Sequence, residues 1–168
     1  DIALPMIMPE IIPQECSMIG WILSLLEEHV KRLDEIVKKK SMASNKFNGC
    51  MYDSGNLLVK VYNRVKELCY SQFYQPDRAE TVLAAALNTQ IQTQNSFEFA
   101  QELVRFWDTL VENIKQTTEG EQEPLIFIIF DDVDLMPDRA ISLLSTIIKY
   151  LSHPNIIVLL TADEALLY

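Results

Sequence analysis

The chain has 168 residues, 49% of them apolar, which suits one domain able to bury a sizeable core. A formal charge of -10 speaks against a nucleic-acid binder, because affinity for a phosphate backbone rests on clustered Lys and Arg, and the single basic knot, Lys38-Lys39-Lys40, reads as a solvated helix end. Cys16, Cys50 and Cys69 are odd in number and form no CxxC pair, and His29 and His153 lie far apart, so neither a disulfide framework nor a zinc site is suggested. A reducing compartment, the cytoplasm, follows from that cysteine usage.

Residues 2 to 8, IALPMIM, are short and apolar, and the PEIIP that follows cannot be helical across both prolines, so a strand and a turn are expected over residues 1–13. From 15 to 40, Ile19, Ile22, Leu23, Leu26, Val30, Leu33 and Val37 recur at three- and four-residue steps and predict an amphipathic helix. Its most apolar stretch, 18–26, is about half of what a membrane-spanning helix requires, and no signal peptide is recognisable. Residues 41 to 56, rich in Ser, Asn, Gly and Asp, read as a loop. Leu58, Val61, Tyr62, Val65, Leu68 and Cys69 then restore a helical stripe over 57–73, which Pro76 ends. A third helix is expected from Asp77, as its cap, through 92, and a fourth from a cap at Asn95 with Glu98, burying Phe99, Leu103, Phe106, Trp107, Leu110 and Ile114. Residues 14–117 thus form a helical segment between strands.

After a polar linker at 117–124, Leu125-Ile126-Phe127-Ile128-Ile129-Phe130 runs without alternation, as a strand of a parallel sheet buried on both faces does. It ends abruptly in Asp131, Asp132 and Asp134, at the carboxyl end where α/β folds keep their chemistry. Pro137 suits a first helical turn, and Ile141, Leu144, Ile147, Ile148 and Leu151 predict the buried stripe of the helix behind it. SHPN stops that helix. Ile156 to Leu160 is a second wholly apolar strand, ending in Thr161, with a further helix from Ala162. The two strands are expected to lie side by side and parallel. No repeat or low-complexity tract is present.

This order over residues 124–168 resembles the middle of a P-loop ATPase of the additional-strand class, which holds the AAA+, STAND and KAP proteins, with IFIIFDDVDL as its Walker B-like segment. FIIFDDVD matches the hhhhDDhD form frequent in STAND and KAP proteins. The resemblance implies an α/β fold, a three-layer P-loop NTPase-like parallel sheet with a large helical insertion between strands, in which 118–168 is the Walker B and sensor 1 portion. It implies ATP and Mg²⁺ as cofactors, Asp131 as the residue that orients the waters of the metal, Asp132 as the catalytic residue that polarises the attacking water, and Thr161 as the sensor 1 residue that reads the γ-phosphate. A hard cation on a triphosphate keeps several waters and needs only one or two carboxylates, which fits this acid pair. KAP proteins frequently carry membrane helices between these elements, and nothing in 14–117 can span a bilayer, so a soluble relative is implied.

Bland roles stand beside these. Asp134 and Asp163 suit helix caps, Thr161 a side-chain turn, and Arg139 a solvated helix charge rather than an arginine finger. The four glycines, Gly20, Gly49, Gly55 and Gly120, make no GxxxxGK[ST] loop; if the order of the resembled family holds, the phosphate cradle is expected just before Asp1 in a longer polypeptide, the alternative being that there is no cradle. The sequence therefore supports part of an ATPase coupling hydrolysis to conformational change or assembly, as in signalling or antiviral defence, with a homo-oligomer or partner protein engaged through the helical segment. A nucleotide-independent helical interaction module, or a Mg²⁺-dependent phosphohydrolase of another architecture, are the alternatives.

Overall fold

The structure is a computed structural model of the chain, and it describes residues 1–13, 16–44, 57–73, 82–118, 123–135 and 137–162. The elements are β1 (Ile2–Ala3), α1 (Met18–Ser44), α2 (Leu57–Phe73), α3 (Val82–Thr117), β2 (Ile126–Phe130), α4 (Pro137–Tyr150) and β3 (Ile156–Leu160). The expected Asp77 and Asp163 caps and the helix beyond Ala162 lie outside the described residues.

The three strands form one sheet in the order β1-β2-β3, all parallel. β2 and β3 pair along their full length, Ile126 opposite Ile156 through Phe130 opposite Leu160, with α4 between them in sequence, as expected. The first strand is shorter than the expected 2–8. Ile2 and Ala3 pair with Ile126 and Phe127, and contact resumes at Ile7 opposite Phe130. Four residues on one strand thus span three on the other, a bulge around Pro5, which has no N–H to give the ladder.

The helical stripes explain why the segment between β1 and β2 folds against the sheet. Ile19, Ile22, Leu23 and Leu26 of α1, the six expected residues of α2 and the six expected residues of α3 are all buried, in one cluster with Ile126, Ile128 and Phe130. Phe106 packs on Trp107 at 5.0 Å and on Tyr62 at 5.7 Å between ring centres, so α3 is joined to α2 by aromatic contact. The Trp107 indole N–H donates to the Tyr150 carbonyl at 3.1 Å, tying α3 to the end of α4. Ser17 caps α1 by accepting from the Gly20 amide at 3.1 Å. Cys16 and Cys69 are free thiols.

Several expectations are corrected. The third and fourth helices are one: α3 runs unbroken from Val82 to Thr117, because no Gly or Pro lies in that stretch, and Asn95 sits inside it, not at a cap. Glu98 bonds the Gln94 side chain at 3.2 Å instead. α1 continues to Ser44, into the expected loop. Lys40 donates to the carbonyls of Gln116 and Thr117, both at 3.1 Å, so the basic knot serves a helix C-terminus, but that of α3. β2 is buried completely on the Ile126, Ile128, Phe130 face, whereas Phe127 and Ile129 are only half-buried; α1 to α4 all contribute to the first face, so two of the three expected layers are seen among the described residues.

α4 is also turned relative to its expected stripe. Leu143 is fully buried, Thr146 nearly so and Ile147 half-buried, while Ile141 and Ile148 are 75% and 71% exposed. α4 carries apolar residues on two sides, and periodicity alone could not choose between them. Leu143→Ala is therefore expected to cost about 2–5 kcal/mol and Ile148→Ala no more than about 0.5 kcal/mol, read from urea denaturation of the chain.

Glu27 accepts from Lys31 at 2.7 Å and Lys66 at 2.8 Å, linking α1 to α2, and the Lys31 bond, then the Lys66 bond and charge, hold its carboxyl down to about 2 from 4.5. A carboxylate with a depressed folded value stabilises above its unfolded value and loses that contribution as it protonates. Stability should accordingly fall as pH drops from 4.5 towards 2, and Glu27→Gln should flatten that part of a denaturation-midpoint curve against pH. The effect is modest because the pair is partly exposed.

Candidate functional site

Because the strands are parallel, their carboxyl ends emerge on one side of the sheet, and the residues that follow them meet there. The Asp131 amide donates to the Ile7 carbonyl at 2.9 Å, and the Thr161 amide donates to the Phe130 carbonyl at 2.9 Å. One step past the ends of β2 and β3, Asp131 and Thr161 are therefore still in ladder register. Their side chains touch: the Thr161 hydroxyl donates to Asp131 Oδ1. The Val133 amide returns to the Thr161 carbonyl at 3.2 Å, so the turn after β2 is tied to the tip of β3 twice.

Asp132 leaves the strand differently. Its φ is 53°, the left-handed region, and it has the only positive φ among the described non-glycine residues. For an L-residue with a Cβ that conformation costs energy, though Asp tolerates it better than most. Its side chain is exposed, while its carbonyl accepts from the Leu135 amide at 3.2 Å and closes a 3-10 turn over Val133–Leu135. Strain of this kind collects at functional sites, where the surroundings over-determine the backbone.

Asp134 lies inside that turn rather than at the start of α4, and its Oδ1 is buried without a hydrogen-bond partner, so that oxygen makes no cap. An unsatisfied buried acceptor costs about 1–3 kcal/mol. Among the described residues, none of the three acids joins an ion pair. Arg139 is not a solvated charge: half-buried in α4, it donates through Nη1 to the carbonyls of Pro9 and Ile12. No apolar pattern could announce a side chain that binds backbone carbonyls 127 and 130 residues away.

The structure thus brings together Asp131 and Thr161, sets Asp132 beside them in the turn, and takes Arg139 out of the group. All donors here are oxygens, with no thiol or imidazole, which suits a hard cation. No group of three metal-ligating residues exists among the described residues, so a divalent ion would need most of its ligands from water and phosphate. The residues fit such an ion. Among the described residues no helix is long and apolar enough to cross a membrane.

Comparison with curated proteins gives no match. Comparison with protein families does: the pattern of the KAP family P-loop domain matches residues 16–168, which include α1 to α4, the acidic turn and the tip of β3. That match agrees with an α/β fold built on a parallel sheet, and it implies nucleotide binding. The chain belongs to the KAP family of P-loop domains.

Proposed function

We propose that this chain carries the metal- and water-handling part of a cytoplasmic P-loop ATPase, in which hydrolysis drives a conformational or assembly change. A signalling or antiviral defence role of the STAND kind is the finer reading. One observation carries it: the Thr161 hydroxyl rests on the Asp131 carboxylate at the ends of adjacent parallel strands, with Asp132 turned outward beside them on strained backbone. Asp131 would hold the waters of a Mg²⁺ that, when bound with ATP, neutralises phosphate charge. Asp132 orients the attacking water and accepts its proton. Thr161 keeps Asp131 in place, and its one hydroxyl proton turns to the terminal phosphate when nucleotide is bound.

The phosphate cradle comes from residues outside this sequence, which has no GxxxxGK[ST] motif. Two features support a place for it. Among the described residues β3 pairs on one edge only, yet it is apolar throughout, as a central strand is. Phe127 and Ile129 leave the opposite sheet face half-covered. The helices of 14–117 would meet a partner protein or a second copy. An interaction module without nucleotide chemistry is the second reading, favoured by the exposed Ile141, Leu144 and Ile148 of α4.

The two readings part at Asp132. In the full-length protein Asp132→Asn should lower the ATPase rate by ~10²- to 10⁴-fold while nucleotide affinity survives, and Asp131→Asn should weaken the Mg²⁺-dependent part of binding as well. Unchanged turnover in Asp132→Asn would leave the interaction module standing. Asp132→Gly adds a stability readout: glycine accepts a positive φ freely, so the variant should be as stable as the parent or up to about 1 kcal/mol more so, yet inactive. The 168-residue chain alone should bind Mg·ATP weakly, and micromolar affinity by calorimetry would contradict the placement of the cradle elsewhere.

A further inference from the structure

Arg139 stands in the first turn of α4, the end at which the helix dipole disfavours a cation, so helix stability does not account for it. Its two hydrogen bonds go to the carbonyls of Pro9 and Ile12, at the two ends of the 3-10 turn that follows β1. The same stretch is tied to the acidic turn from the other side, where the Ile7 carbonyl accepts from the Asp131 amide. Residues 131 to 139 are thus fastened at both ends to residues 7 to 12, the stretch that leads to the Ser17 cap and α1.

We propose that Arg139 is a positioning residue that couples the helical segment to the acidic turn. A single charged nitrogen satisfying two carbonyls holds the turn after β1 against α4, and the Ile7 carbonyl, kept in place by that turn, fixes the Asp131 backbone. Asp131 in turn holds Thr161, whose carbonyl takes the Val133 amide, so the φ of Asp132 is enforced from both of its neighbours. A displacement of α1 is then felt at the acids, and a displacement of the acids at α1.

The test has two arms on the full-length protein, of which the kinetic one rests on the ATPase reading above and the exchange one does not. In Arg139→Met, amide hydrogen exchange should quicken by about tenfold or more at Ile11 and Ile12 and also at Asp131 and Val133, with Ile126 to Phe130 little changed. Turnover should fall by about tenfold with the KM for ATP held, since misplaced acids cost rate more than binding. Arg139→Lys should restore both, because one ammonium can reach two carbonyls where only one nitrogen is used. If Arg139→Met does not fold, Arg139→Gln takes its place. Faster exchange confined to Ile11 and Ile12 would overturn the coupling and leave a local clamp; turnover that stays unchanged while the acidic turn loosens would leave the coupling but overturn the positioning role in catalysis. A parent protein with no ATPase activity would sink the ATPase reading, and the exchange arm would still decide the role of Arg139.

Discussion

Parallel strands cannot be joined by a tight turn, and that constraint shapes everything else in this molecule. Each return to the sheet must travel back along the outside, and the chain does so through α1 to α3 before β2 and through α4 before β3. The helices are the means by which the strands can be parallel at all, and they bury Ile126, Ile128 and Phe130 in the process. Every strand then ends on the same side. Ile7, Asp131 and Thr161 meet there because of topology, and no local preference of those residues would have assembled them.

The site and the core use opposite physics. Phe99, Phe106 and Trp107 sit in a close-packed interior where each aromatic ring finds a partner. At the carboxyl ends of β2 and β3 stand a left-handed aspartate, an orphaned carboxylate oxygen and a hydroxyl resting on an acid. Such features lower stability and persist because the sheet beneath them is rigid. A well-packed strand end, with the hydrogen bonds of Ile7 and Thr161, keeps the acids in one arrangement.

How much of this the sequence disclosed follows from the kind of signal each feature leaves. Leu58 to Cys69 and Phe99 to Ile114 were readable because a single apolar stripe has one possible inward face. The unbroken apolar run ending in acids named its own place in a parallel sheet. α4 was readable as a helix but not in its rotation, since Ile141 and Leu143 both lie on apolar sides and only the neighbours decide which is covered. Asn95 imitated a cap because capping residues also occur inside helices when nothing nearby breaks them. The clasp of Arg139 left no trace, because it depends on backbone carbonyls that every residue carries alike; the pairing at Ile7 falls within the strand expected over 2–8.

The pairing of β1 with β2 has a kinetic consequence. The Leu125 amide meets the Asp1 carboxylate across 124 residues, and Ile2 meets Ile126 over a similar span. Loop-closure entropy makes so distant a contact slow to form, whereas α1, α2 and α3 collapse on one another through much nearer ones. During synthesis the first strand must wait, without a partner, until the helices have formed and β2 has left the ribosome. Contact order therefore favours early collapse of α1, α2 and α3 and late completion of the sheet with its acidic tip.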